Sequence, residues 1–175
     1  MKLLRLLAVL FFALQIFSAE PKNILFVGNS YLYYNNSVHN YVEPMLREFY
    51  GSEIETKLSA IGGSKLYHHN IDHLLNPENL NLNQQIDVLI MQGGSTEVIS
   101  ATNQKKFVQT VKEYSTKAQK LGVKTALYMT HAFTEADSRF EPNLIRKIAQ
   151  TYFAAGKESN SIVIPVGLAY EIAYK

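Results

Sequence analysis

The sequence predicts an α/β fold, a three-layer α/β/α sandwich on a parallel five-stranded sheet. Two observations carry this expectation. Short β-rich runs alternate with amphipathic helical stretches five times along the chain, and such alternation builds a parallel sheet with helices on both faces. The first run, Asn23 to Val27, is apolar without a break from Ile24 onward, as a strand covered on both faces is. No repeat, low-complexity tract or linker interrupts the series. A length of 175 residues suits one domain with a sizeable core.

Ahead of the first strand, residues 1–19 read as a secretory signal peptide. Lys2 and Arg5 give a basic start, Leu6 to Leu14 is an unbroken apolar run, and Ser18 and Ala19 offer small residues for cleavage. The expectation is a secreted or periplasmic protein whose domain is residues 20–175, with no stable membrane anchor left after cleavage. The alternative is an uncleaved anchor, for which the run is short.

The elements then follow in order. Gly28-Asn29-Ser30 ends the first strand. Val38 to Phe49 reads as a helix with Val38, Tyr41, Val42, Met45, Leu46 and Phe49 on one face, and Pro44 inside it is a point for a kink. Glu53 to Ala60 alternates as a second strand. Gly62-Gly63 breaks it, and Ser64 is placed to cap a helix over Lys65 to Leu75. Asn76 to Gln85 is polar and reads as loop, and Ile86 to Met91 is the third strand. Gln104 to Leu121 is the clearest helix, striped by Phe107, Val108, Val111, Tyr114, Ala118 and Leu121, with Gly122 at its C-terminal cap. Val123 to Thr130 is the fourth strand, Pro142 to Ala155 a helix followed by Gly156, Ser161 to Val166 the fifth strand, and Gly167 to Lys175 the beginning of a last helix. The expected strand order is flavodoxin-like.

Composition narrows the function. The formal net charge is +2. Lys2 and Arg5 supply both charges, so the chain from Glu20 onward is neutral (2 − 2 = 0). No electrostatic capture of nucleic acid or of an anionic membrane is implied. There is no Cys, which excludes a disulfide framework, thiolate catalysis and Cys-ligated zinc. No Gly-x-Gly-x-x-Gly and no Gly-Lys-Ser/Thr loop is present to cradle a phosphate, and no cofactor is expected. His68, His69, Asp72 and His73 are dense enough to consider a metal, with His69 and His73 one helical turn apart. The Glu of a metalloprotease motif is missing from that stretch, and no metal site is assigned.

In an open parallel sheet, functional groups gather where strands end and helices begin. Here those ends read Gly28-Asn29-Ser30, Ile61-Gly62-Gly63-Ser64, Gln92-Gly93-Gly94-Ser95, Thr130-His131 and Pro165-Val166-Gly167. Ser30 sits where a hydroxyl is lifted clear of the sheet among backbone N–H groups. Acyl transfer through a nucleophile needs that arrangement, together with a base. Each turn alone is as well explained as a connector or a helix cap. Three Gly-rich ends on one edge are a stronger signal.

The segment Ile24-Leu25-Phe26-Val27-Gly28-Asn29-Ser30-Tyr31 resembles the first block of the SGNH/GDSL hydrolases, in the secreted bacterial branch that reads Gly-Asn-Ser-aromatic. Gly62-Gly63-Ser64-Lys65-Leu66, with His68 or His69, resembles its second block. Asp87 to Ile90 followed by Gln92-Gly93-Gly94-Ser95 resembles the third. The resemblance implies the SGNH-hydrolase fold and a serine ester hydrolase acting on a small-molecule or carbohydrate ester. It makes Ser30 the nucleophile and gives the oxyanion hole the N–H groups of Ser30 and of Gly62 or Gly63. The third donor, usually an Asn, falls at Gly94, with Gln92 or Ser95 as substitutes. Asn29, Tyr31, His68 and His131 are expected around the pocket. Tyr31, Tyr33 and Tyr34 are read either as a platform for a sugar ring or as core contacts.

One block of the family is missing. Its general base lies in a late Asp-x-x-His, and none of the three Asp residues, Asp72, Asp87 and Asp137, stands three before any of the five His residues. The sequence is therefore expected to be C-terminally truncated, or else a natural short form without the family base. His131, at the end of the fourth strand, could stand in as base or line the pocket; the other reading is a hydrogen-bonded His near the surface. Two other functions stay open: a non-catalytic carbohydrate- or ester-binding module of the same fold, and a flavin- or nucleotide-binding flavodoxin-like domain.

Overall fold

The computed structural model describes residues 20–174; the expected signal peptide, residues 1–19, lies outside them. Five parallel strands form one sheet: β1 (Asn23–Gly28), β2 (Glu55–Ala60), β3 (Val88–Met91), β4 (Lys124–Tyr128) and β5 (Ile162–Ile164), in the order β2-β1-β3-β4-β5. This is the flavodoxin-like order expected. The helices are α1 (Ser30–Tyr33), α2 (Val38–Tyr50), α3 (Ile71–Leu74), α4 (Ala101–Lys120), α5 (Leu144–Ser159) and α6 (Val166–Ala173). Among the described residues no helix is long and apolar enough to cross a membrane.

β1 lies between two neighbours and beneath two layers, and all six of its residues are buried. Alternate side chains serve opposite faces. Leu25 and Val27 join Leu89, Met91 and Leu127 under Phe107, Val111, Tyr114 and Ala118 of α4 and Leu144, Ile148 and Tyr152 of α5. Ile24 and Phe26 join Ile90 and Ala126 on the other face, where Val38, Val42 and Leu46 of α2 pack. Each such large side chain contributes about 1.5–3 kcal/mol when fully buried, which fixes the register of β1 and so the height at which its turn emerges.

Several boundaries differ from expectation. The predicted helix over Lys65 to Leu75 is a 3-10 turn, Leu66–His68, followed by the short α3. Asn70 divides them because its side chain accepts the His73 N–H and caps α3 at 3.2 Å. The expected loop at Asn76–Gln85 contains a 3-10 turn over Pro77–Leu80. α4 starts earlier than expected, at Ala101, because Ser100 caps it. Gly156 lies inside α5 rather than after it. A Cβ there would stand 2.6 Å from Val163 Cγ2, and left-handed Asn160 ends the helix. The apolar stripe of α2 is wider than the face it buries: Tyr41, Met45 and Phe49 are exposed.

Candidate active site

β1, β2 and β3 end together at one edge. Gly28 is level with Ala60 and Val27 with Met91, so the three Gly-containing turns start side by side. The chain leaves β1 toward β2 on one side and has β3 on the other, which makes this the switch point of the sheet.

Ser30 opens α1 directly after β1. Asn29 before it is buried and ties three turns together. Its Oδ1 accepts the Tyr31 N–H at 3.1 Å, its backbone N–H donates to Gln92 Oε1 at 3.0 Å, and its Nδ2 donates to the Ser64 carbonyl at 3.0 Å. Gly28 lets β1 pass this close to Gln92: a Cβ there would lie 2.6 Å from Gln92 Oε1 and 2.8 Å from Leu32 Cδ1. Ser64 Oγ donates to the Gly28 carbonyl at 3.3 Å and stands 3.2 Å from His69 Nε2. His69 is buried, and burial holds its imidazole below the usual range, so it is neutral at pH 7.

A cavity of about 220 Å³ opens over these turns. Asn29, Ser30 and Tyr31 come to it from β1, Gly63 and Ser64 from β2, Gly94, Ser95 and Thr96 from β3, and Arg139 from the loop after β4. A larger groove of about 560 Å³ between α4 and α5 has no Ser, His or carboxylate in its lining. Of these two, the smaller cavity is the one that carries a candidate nucleophile.

Six of the residues singled out in the sequence line this cavity: Asn29, Ser30, Tyr31, Gly63, Gly94 and Ser95. Gly62, Gln92, His68 and His131 do not. Gly62 backs onto Tyr33, whose hydroxyl would be 2.9 Å from a Cβ at that position. Gln92 is fully buried, with its Oε1 accepting the Asn29 N–H and its Nε2 donating to the Gly93 carbonyl; it is a clamp behind the site and does not line the cavity. Gly94 has no room for a side chain, since a Cβ would meet the Ser64 carbonyl at 2.9 Å, and its N–H goes to Glu97. Of the third turn, Ser95 is left with a side chain at the cavity.

His68 is exposed, its Nδ1 accepting the Lys65 N–H at 3.2 Å. His131 packs edge-on against Tyr31 at 4.8 Å and lies 5.1 Å from Tyr170, with Nδ1 2.8 Å from the Ala132 carbonyl. It backs the Tyr31 wall. Tyr33 and Tyr34 are exposed, so they are not core contacts. His69 and His73 fall in different elements, His73 facing Asn79 at 3.1 Å. Among the described residues no three His, Asp or Glu converge to hold a metal.

Sequence reasoning passed over Arg139 and Glu97. Arg139 forks onto Asp137 at 2.9 and 2.7 Å and rests over the Phe133 ring at 3.9 Å; the fork holds the Asp137 carboxyl down at about 2. The signal available was an Asp-x-Arg in the loop after the fourth strand, which returns to the same edge. Glu97 stands three residues past Gly94, beside the apolar Val98.

No protein-family model matches the sequence, and no curated protein matches it. Solved structures do. A protein from Slackia heliotrinireducens assigned to the SGNH hydrolases is 21% identical with a TM-score of 0.64, over 87% of this chain and 83% of that one. The SGNH-hydrolase family esterase AlinE4 is 15% identical with a TM-score of 0.65, over 87% and 80%. The acetyl xylan esterase AlAXEase is 19% identical with a TM-score of 0.60, over 87% and 82%. The fold is that of the SGNH hydrolases. Within the SGNH fold, the cavity at the ends of β1, β2 and β3 is where the three sequence blocks meet.

Proposed function

We propose that the protein is a serine ester hydrolase that removes a short acyl group from a carbohydrate or other small alcohol. The observation that carries this reading is Ser30 at the head of the β1 turn, opening into a small polar cavity walled by two further Gly-rich strand ends. Ser30 Oγ gives up its proton as it bonds to the acyl carbon. The tetrahedral oxyanion is held by the N–H groups of Ser30 and Gly63 and by the Ser95 hydroxyl, and the alcohol leaves with the proton. Water then releases the acyl group by the same steps. Gly63 has φ +69°, a conformation L side chains rarely adopt, and nothing lies within 4 Å of its Cβ position; backbone conformation requires the glycine. One oxyanion donor is worth about 2.7–4 kcal/mol in the transition state.

A volume of about 220 Å³ is below the range of roughly 300–1,000 Å³ usual for drug-sized ligands, which favours an acetyl-sized group. The acetyl xylan esterase among the structural relatives points the same way. The Ser30 proton passes to a general base and from it to the departing alcohol, and none of the residues lining the cavity is such a base; secretion by the residue 1–19 leader belongs to the same reading. The test is turnover of acetate, butyrate and octanoate esters by the protein as isolated from its source. Acetate turnover is expected to exceed octanoate turnover, and Ser30→Ala is expected to lower it by at least about 1,000-fold. Unchanged turnover in that variant would refute Ser30 as nucleophile.

A second reading has one observation in its favour: among the described residues no side chain hydrogen-bonds the Ser30 hydroxyl. It is a binding module that keeps the pocket without the reaction. Saturable binding of an acetylated sugar with no turnover would select it.

A further inference from the structure

Glu97 is a carboxylate with 1% of its surface exposed, and the proposed reaction does not use it. Its Oε2 accepts the Leu66 N–H at 2.9 Å and also the Gly94 N–H. Its Oε1 is buried with no partner. Burying a carboxylate is costly unless it is hydrogen-bonded. Burial pushes the Glu97 carboxyl pKa up, while the two N–H bonds and the charges of Lys65 and His68 pull it back. A group kept at that cost has structural consequences, and here they fall on the site.

The two N–H groups come from different strand ends. Leu66 follows Gly63 and Ser64 in the chain after β2, and Gly94 precedes Ser95 and Thr96 after β3. Those residues are opposite walls of the Ser30 cavity. The walls meet behind it: the Gly94 Cβ position lies 2.9 Å from the Ser64 carbonyl and 3.3 Å from Glu97 Oε2. No strand pairing joins β2 to β3, because β1 lies between them. Glu97 therefore spans a gap that sheet hydrogen bonds do not cross.

We propose that Glu97 is a positioning residue for the hydrolysis proposed above: through the N–H groups of Leu66 and Gly94 it sets the spacing between the wall that carries Gly63 and the wall that carries Ser95. The inference rests on that reading of the site. A misplacement of about 1 Å can cost about 100-fold in rate, so a clamp behind the donors is felt in kcat more than in KM.

The experiment compares wild type, Glu97→Gln and Glu97→Met in the full-length protein. Gln keeps an oxygen that can accept both N–H groups; Met keeps the bulk and has no such acceptor. Steady-state kinetics on a short acetate ester are read beside amide hydrogen exchange at Leu66 and Gly94. In Glu97→Met, kcat is expected to fall about 10- to 100-fold with KM nearly unchanged. Exchange at those two amides is expected to speed up about tenfold or more, while β1 and β3 keep their protection. Glu97→Gln is expected to restore both. Wild-type kcat in the Met variant, a Gln variant as poor as Met, or a Met variant with no cooperative melting would each overturn the assignment, the last by making Glu97 a support of the whole core. If wild type turns over no ester while the two amides respond as expected, the hydrolase reading has failed and the clamp between the loops stands.

Discussion

The sequence resemblance sets Gly94 where the SGNH/GDSL hydrolases carry an Asn donor, and the structure gives a steric reason for the glycine. The Ser64 carbonyl is 2.9 Å from where a Cβ would be, so the two loops touch through backbone. Gly94→Asn is therefore expected to lower stability by about 1–3 kcal/mol, as overpacking does, and to lower turnover rather than add a donor. Melting temperature and kcat measured together check this; a Gly94→Asn variant more active than wild type would contradict it. The turn that carries Ser30 was legible in the sequence because an apolar run stops at Gly-Asn-Ser. Glu97 and Gln92 were not legible in their roles. Each also bonds a distant partner, 31 positions away for Glu97 and 63 for Gln92, and no local pattern encodes such a partner.

The segment between β2 and β3 shows what periodicity misses. Lys65 to Leu75 has the apolar spacing of one helix, and Leu66, Ile71, Leu74 and Leu75 are indeed buried. Yet a helix would carry His69 past its partners. Instead the 3-10 turn presents His69 Nε2 to Ser64, and the His69 carbonyl accepts the Tyr114 hydroxyl at 2.6 Å. Burial depresses the His69 pKa in the folded protein below 6.5. The unfolded chain therefore binds a proton that the folded one refuses, and stability falls as pH drops below about 6.5. The slope from this group is at most about 1.4 kcal/mol per pH unit. Denaturant titrations of wild type and His69→Gln between pH 7.5 and pH 5 are expected to diverge, wild type losing stability faster toward acid. Parallel curves would mean that His69 is not held neutral. Asn70, a residue that caps helices more readily than it extends them, is the one local sign that the helix should break.

At the scale of the molecule, the sheet order and the alternation of layers were both readable from the sequence. Continuous apolar strands need cover on both faces, and parallel strands need crossovers, so few topologies remain. The geometry at the edge was not readable. The sequence presents three equivalent Gly-rich ends, whereas the structure gives them unequal work. β1 supplies the candidate nucleophile, the β2 end supplies Gly63 in a left-handed conformation, and the β3 end spends Gln92 and the Gly94 N–H on internal clamps, leaving Ser95. The central claim is that Ser30 forms a covalent acyl intermediate. The most direct measurement is intact and peptide mass spectrometry after exposure of the protein from its natural source to an alkyl phosphonate ester that mimics the tetrahedral intermediate. A single adduct is expected on the peptide carrying Ser30, absent from Ser30→Ala and accompanied by complete loss of acetate hydrolysis. An adduct on another residue, or full inactivation of hydrolysis with Ser30 unmodified, would contradict it.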